Sequence, residues 1–149
     1  MFSAPDVMIR AWRPEDDTVL VTGFVETYNG APWHEEWTFA SAHRYLAEFR
    51  GIPRSWALLA FCEGEMAGAV FFHARTWQSD SETYIDEFFV FPDHQRRGVG
   101  TALLDAVRGY GESVGSIGIA LLTDRDKPAY EFYRKAGLRE GSLQAFMYG

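Results

Sequence analysis

Val90-Phe91-Pro92-Asp93-His94-Gln95-Arg96-Arg97-Gly98-Val99-Gly100-Thr101 runs from an apolar strand through a sharp turn into a helix. Pro92 cannot donate to a sheet ladder and stops the strand. At a helix N-terminus the first N–H groups lack internal partners and point outward beside the positive end of the dipole. Gly98 and Gly100 let backbone approach a ligand where a side chain would intrude. Arg96 and Arg97 add positive charge and Thr101 a hydroxyl, so the segment would hold a diphosphate. The pattern matches neither Gly-x-x-x-x-Gly-Lys-Ser/Thr nor Gly-x-Gly-x-x-Gly, and an ordinary strand-to-helix turn is the competing reading.

Around this turn the apolar period changes twice. Met8 to Trp12 reads as a first strand, and Pro14 with Glu15, Asp16 and Asp17 suits the opening of a helix. Leu20, Val21, Phe24, Val25 and Tyr28 recur with helical spacing up to Asn29-Gly30. A second helix is predicted over Thr38 to Phe49, with Phe39, Ala42, Leu46 and Phe49 on one side. An aromatic and acidic loop, Ala31 to Trp37, joins the two. Ser55 to Cys62 and Met66 to Trp77 read as strands around a Glu63-Gly64-Glu65 turn, and Thr83 to Phe91 reads as a third. A helix follows from Val99 and weakens at Gly109 and Gly111. Ile117 to Leu122 reads as a buried strand, Pro128 to Ala136 as a helix capped by Gly137, and Leu138 to Tyr148 as one or two closing strands. The order β-α-α-β-β-β-α-β-α-β predicts a mixed α/β fold over residues 1–149 as one domain, a sheet covered by helices.

Composition narrows the function. With 149 residues, 47% hydrophobic and 16% aromatic, the chain is no disordered segment. One cysteine excludes an internal disulfide framework and fits a reducing compartment. The longest apolar run, Trp56 to Cys62, is too short for a membrane span, and no secretory signal opens the sequence, so a soluble cytoplasmic domain is expected. A net charge of −7 argues against nucleic acid or anionic membrane as the main partner and is compatible with a cationic substrate. The four histidines show no metal-ligand spacing, so no metal is expected. Cys62 reads as a buried filler.

Gln95-Arg96-Arg97-Gly98-Val99-Gly100 resembles the Gln/Arg-x-x-Gly-x-Gly/Ala signature of the GNAT superfamily of acyl-CoA-dependent N-acetyltransferases. Asp126-Lys127-Pro128-Ala129-Tyr130-Glu131-Phe132-Tyr133-Arg134-Lys135-Ala136-Gly137-Leu138 resembles that family's second motif. Between the two lies room for one helix, one strand and a helix start. Trp33 to Trp37 resembles the Trp-x-x-x-Trp loop of some small bacterial members. The resemblance implies a central, mostly antiparallel mixed sheet flanked by helices, with acetyl-CoA as the acetyl donor. It implies that the amides from Arg96 to Thr101 bind the pyrophosphate, that the backbone of Phe89 and Val90 pairs with pantetheine amides, and that Ala129 and Phe132 border the cofactor. Many relatives carry Asn where this chain has Asp126, and a carboxylate there would not help an anionic cofactor. Dimers are frequent among similar proteins, so a homodimer is the assembly the resemblance suggests.

Acetyl transfer to an amine needs a neutral nucleophile, yet an alkylamine with a pKa of about 10.4 is mostly protonated at neutral pH, so a base or water relay is required. Tyr133 occupies the position of the family's general-acid tyrosine. Strict alternation would set Tyr84, Asp86, Phe88 and Val90 on one face of the third strand and Ile85, Glu87, Phe89 and Phe91 on the other. The strand resembles that of the polyamine N-acetyltransferases, with two successive acids. The family's base lies on the Val90 face, which selects Asp86 over Glu87, with surface or substrate-orienting charges as the alternative. Trp33, Glu35, Glu36 and Trp37 could wall an acceptor site for an ammonium, or simply pin a loop over the core. The expected acceptor is a small cationic amine such as a polyamine, an aminoglycoside or an amino acid derivative, attacked directly in a ternary complex. A non-catalytic acyl-CoA-binding module, which needs neither acid nor base, is the alternative function.

Overall fold

The computed structural model describes residues 6–149, so the expectation about the extreme N-terminus lies outside the described residues. Five strands form one sheet in chain order: β1 (Val7–Ala11), β2 (Ser55–Cys62), β3 (Glu65–Trp77), β4 (Asp80–Val90) and β5 (Ser116–Leu121). The first three pairings are antiparallel and β4–β5 is parallel. The β2–β3 turn is tight because Glu63 and Gly64 both take positive φ, 52° and 81°. Helix α1 (Asp17–Asn29) follows a 3-10 turn at Pro14–Asp16, and α2 (Phe39–Arg50) is capped by Thr38, whose Oγ1 accepts from the Ser41 N–H.

These two helices cover one face of the sheet, burying Leu20, Val21, Phe24 and Leu46 against Leu59, Ala69, Phe71 and Phe89. Helix α3 (Val99–Ser113) covers the other, with Val99, Leu103, Leu104 and Val107 against Leu58, Val70, Phe72 and Ile85, and α4 (Pro128–Lys135) adds Phe132 beside them. Phe24, Phe71 and Phe72 are fully buried, each contributing roughly 1.5–3 kcal/mol of transfer free energy. Arg10 closes the β1 end with a bidentate pair to Asp16 at 2.8 and 2.9 Å.

Three expectations change. Residues 138–149 form no strand, and Leu143, Phe146, Met147 and Tyr148 are exposed. Glu140 pairs with Arg125, just ahead of α4, at 2.8 Å, and Phe146 lies at the cleft between β4 and β5, so side-chain contacts and not a sheet ladder hold the tail. Helix α3 continues through Gly109 and Gly111 to Ser113. No side chain at Gly111 crowds Thr83 and Ser116, whose oxygens sit 3.1 and 3.7 Å from where a Cβ would lie. The third change decides the site. In β4, Phe71 pairs with Glu87 and Phe72 with Ile85, leaving Asp86 as the extra residue of a β-bulge. Ile85, Phe88 and Val90 pack toward α3, while Asp86 and Glu87 both fall on the α1–α2 side with His73 and Phe71. Asp86 therefore does not share the face of Val90.

The sheet opens beyond this bulge. The β4–β5 pairing ends at Ile85–Leu121, so residues 86–90 have no strand partner on that side among the described residues. At Gly68 the neighbouring strand approaches closely: a Cβ there would stand 2.6 Å from the Phe89 carbonyl oxygen. Gly68→Ala should lower the unfolding free energy by about 1–3 kcal/mol, read as a lower urea midpoint at unchanged m-value.

Candidate active site

The splay between β4 and β5 opens into a cleft of about 1200 Å³, floored by residues 84–90 of β4. On its α3 side the strand passes Phe91 and a short 3-10 turn, Pro92–His94, before α3. Arg96 and Gly98 both adopt left-handed backbone, φ 62° and 82°. The first helical bond is Ala102 N–H to Gly98 O at 3.1 Å, and among the described residues the N–H groups from Arg96 to Thr101 have no acceptor within the chain. They form a concave row of donors suited to an anion. Gln95 Nε2 donates to the Val90 carbonyl at 3.0 Å and ties the turn to the strand.

The two glycines differ in role. A Cβ at Gly98 would meet nothing within 4 Å, so its left-handed backbone is what requires glycine there. A Cβ at Gly100 would lie 3.3 Å from the Phe132 ring and 3.8 Å from Phe88, so its open space admits the α4 ring. Arg96, Gly98, Val99, Gly100 and Thr101 line the cleft, and so do Phe89, Val90, Ala129 and Phe132. Arg97 and Asp126 do not line it, and Asp126 is turned out beside Lys127 Nζ at 3.5 Å. The opposite lip carries Asp124, Arg125, which is paired with Glu140, and Lys127, which lies beside Asp126. An anionic diphosphate with an extended amide-bearing arm fits this half, given free donors and an unpaired strand edge.

The other half is closed by α1, α2 and the loop between them. Asn29 holds that loop with its side-chain amide, donating to the Trp37 carbonyl at 2.9 Å and accepting the Trp37 N–H at 2.8 Å. Trp33, Glu35 and Trp37 line the cleft, whereas Glu36 does not. Trp37 Nε1 donates to Glu35 at 2.7 Å.

Glu87 sits at the junction of the two halves. Tyr28 donates to Oε1 at 2.6 Å and Tyr45 to Oε2 at 2.7 Å, from α1 and α2 respectively. Burial drives the Glu87 carboxyl above its ordinary range, and the two phenol hydrogen bonds only partly oppose this. Burial and the nearby Glu87 charge likewise hold Tyr133 protonated well above a free tyrosine. Asp86 faces another neighbour, sharing a 2.7 Å hydrogen bond with His73 Nδ1. Burial raises the Asp86 carboxyl and the His73 contact counteracts it. The site thus brings Glu87 and Tyr133 together and ties Asp86 to His73.

Tyr28, Tyr45 and His73 carry no motif. Tyr28 lies on the apolar stripe of α1, where a packing role was the natural reading. Tyr45 extends the Ala42–Phe49 row by a helical step, which sets it on the inward face of α2 without naming the strand it meets. Among the described residues no group of three or more His, Cys, Asp or Glu could hold a metal ion.

Solved structures share this architecture. A transcriptional regulator from Bacillus halodurans C-125 is 18% identical with a TM-score of 0.78, covering 97% of this chain and 100% of its own. An aminoglycoside acetyltransferase from an uncultured soil metagenomic sample is 25% identical with a TM-score of 0.70, covering 97% and 99%. A ribosomal-protein-alanine N-acetyltransferase from Brucella melitensis biovar Abortus 2308 is 16% identical with a TM-score of 0.76, covering 97% and 99%. No curated protein sequence matches the chain. Residues 18–138 match the model of the Acetyltransferase (GNAT) family, and the chain belongs to that family.

Proposed function

We propose that this protein transfers an acetyl group from acetyl-CoA to the primary amine of a small cationic acceptor, by direct attack within a ternary complex. The observation that carries the proposal is the buried Glu87 carboxyl, held by two phenols on the cleft floor beside Tyr133. Bound acetyl-CoA supplies an activated thioester carbonyl. Arg96, Gly98, Val99, Gly100 and Thr101 hold its diphosphate with backbone N–H groups, with Arg96, Arg125 and Lys127 balancing the charge. The unpaired edge at Phe89 and Val90 receives its amide arm as an added strand.

Glu87 takes the proton of the incoming ammonium. Its raised pKa brings it nearer to neutrality, where a general base works best. Tyr28 and Tyr45 fix both carboxylate oxygens, the Phe88 N–H also donates to Oε1, and Oε2 keeps a lone pair for the amine. Tyr133, kept neutral, donates to the sulfur as negative charge gathers there. Asp86 is the alternative base of the strand. Its bond to His73 makes it a better positioning residue, holding the bulge that sets Glu87 in the cleft.

Glu87→Gln should lower kcat/KM by about 100–1000-fold and remove the limb on which activity falls with decreasing pH. The sign for stability is opposite. A carboxyl whose pKa is raised by folding favours the fold at low pH, and this contribution is lost as pH rises through the raised pKa. Thermal unfolding at neutral pH should therefore find Glu87→Gln at least as stable as the parent. Tyr133→Phe should lower kcat by about 10–1000-fold with acetyl-CoA affinity little changed. Unchanged single-turnover rates would remove Tyr133 from the donor role. Thiol release from acetyl-CoA across a panel of amines tests the activity as a whole. Tight acetyl-CoA binding with no amine-dependent release would assign the fold to acyl-CoA binding alone.

A further inference from the structure

The acceptor half of the cleft is walled by rings more than by charges. Tyr28 meets Trp33 edge to face with centroids 5.1 Å apart, Trp37 lies 4.8 Å from Tyr45, and Phe24 packs beneath against Tyr28, Trp37 and Tyr45. Three carboxylates border this half, and each already has a partner. Glu35 accepts from Trp37, Asp86 is bound to His73, and Glu87 accepts from Tyr28 and Tyr45. Asp86 and Glu87 both belong to the floor, Glu87 is the one whose charge reaches Tyr133, and Glu36 stays outside.

This distribution selects between kinds of amine. Each ammonium taken out of water needs a carboxylate or an aromatic face in return. A polyamine or aminoglycoside brings several, spaced along its length, and the three carboxylates of the pocket, Glu35, Asp86 and Glu87, are already engaged by hydrogen bonds within the chain. Aromatic faces instead favour a flat apolar body, stacked or edge-on, with a single cationic end.

We propose that the acceptor is a primary monoamine with an aromatic or similarly flat apolar body. Its nitrogen lies at Glu87 and its ring lies in the box formed by Tyr28, Trp33, Trp37 and Tyr45. The inference rests on the acetyl-transfer reading of the same site. In the step it implies, the amine nitrogen forms the amide bond as the carbon–sulfur bond of the thioester breaks. The ammonium gives one proton to Glu87 before attack, and Glu87 later releases it to water. As the carbon–sulfur bond breaks, the sulfur takes a proton from Tyr133. The second proton of the nitrogen returns through water to Tyr133, leaving the amide, the CoA thiol and both residues restored.

Calorimetric titration of the protein, with and without CoA at physiological ionic strength, separates this inference from the activity. 2-Phenylethylamine should bind at least about tenfold more tightly than spermidine or kanamycin, and Trp33→Ala should remove about tenfold of that affinity. Trp33→Phe should retain most of it, and CoA affinity should move less than about twofold in both variants. Equal or tighter binding of spermidine or kanamycin, or no effect of Trp33→Ala, overturns the inference even if those amines release thiol from acetyl-CoA. Tight binding of 2-phenylethylamine sustained by Trp33, without thiol release, upholds the pocket's ligand class and overturns acetyl transfer.

Discussion

One extra residue in β4 governs the chemistry of the molecule. Without the bulge at Asp86, a strand of period two would direct the two acids to opposite sides of the sheet. With it, both turn toward α1 and α2, and the strand twists away from β5 just where their pairing stops. The same irregularity thus exposes a strand edge for a ligand and aims an acid into the opening. The His73–Asp86 bond fastens the bulged residue to the adjacent strand, where an unpaired residue would otherwise be free to slip.

Burying Glu87 is costly, and the surrounding groups limit the cost without removing it. Two phenols donate to the carboxylate, yet neither carries a positive charge, so desolvation still dominates. A lysine or arginine in place of either tyrosine would lower the pKa and weaken the base. The neutral donors therefore hold the group in place while leaving its basicity high. The positive charges of the cleft lie at the other end, on Arg96, Arg125 and Lys127.

Much of this was legible in the sequence. Strand and helix periods located nearly every element, because each segment buries one face and alternates accordingly. Pro92, Gly98 and the motif around Tyr133 marked the two helices that border the cleft. What the sequence hid has physical causes. A bulge depends on how a neighbouring strand registers, and Asp86-Glu87 looks the same whether or not it is kinked. Tyr28 and Tyr45 are 17 positions apart and nearly 60 and 42 from Glu87, so only tertiary packing brings them together. The closing strand was expected from the apolar tail, but apolar residues alternate in a free tail as readily as in a sheet. Arg125 belonged to no pattern, since a residue at the lip of a cleft needs proximity and not spacing.

Asn29 has a wider consequence. Its single amide holds the acceptor loop by two backbone hydrogen bonds, and most side chains from Ala31 to Glu36 face solvent. The loop therefore adds little to the free energy of the sheet and helices, while the donor turn and Glu87 belong to them. Substitutions there can change what enters the cleft at small cost to folding, and leave the turn before α3 and Glu87 intact. A lineage could exchange one amine for another through this loop alone, with the rest of the molecule serving as a constant frame.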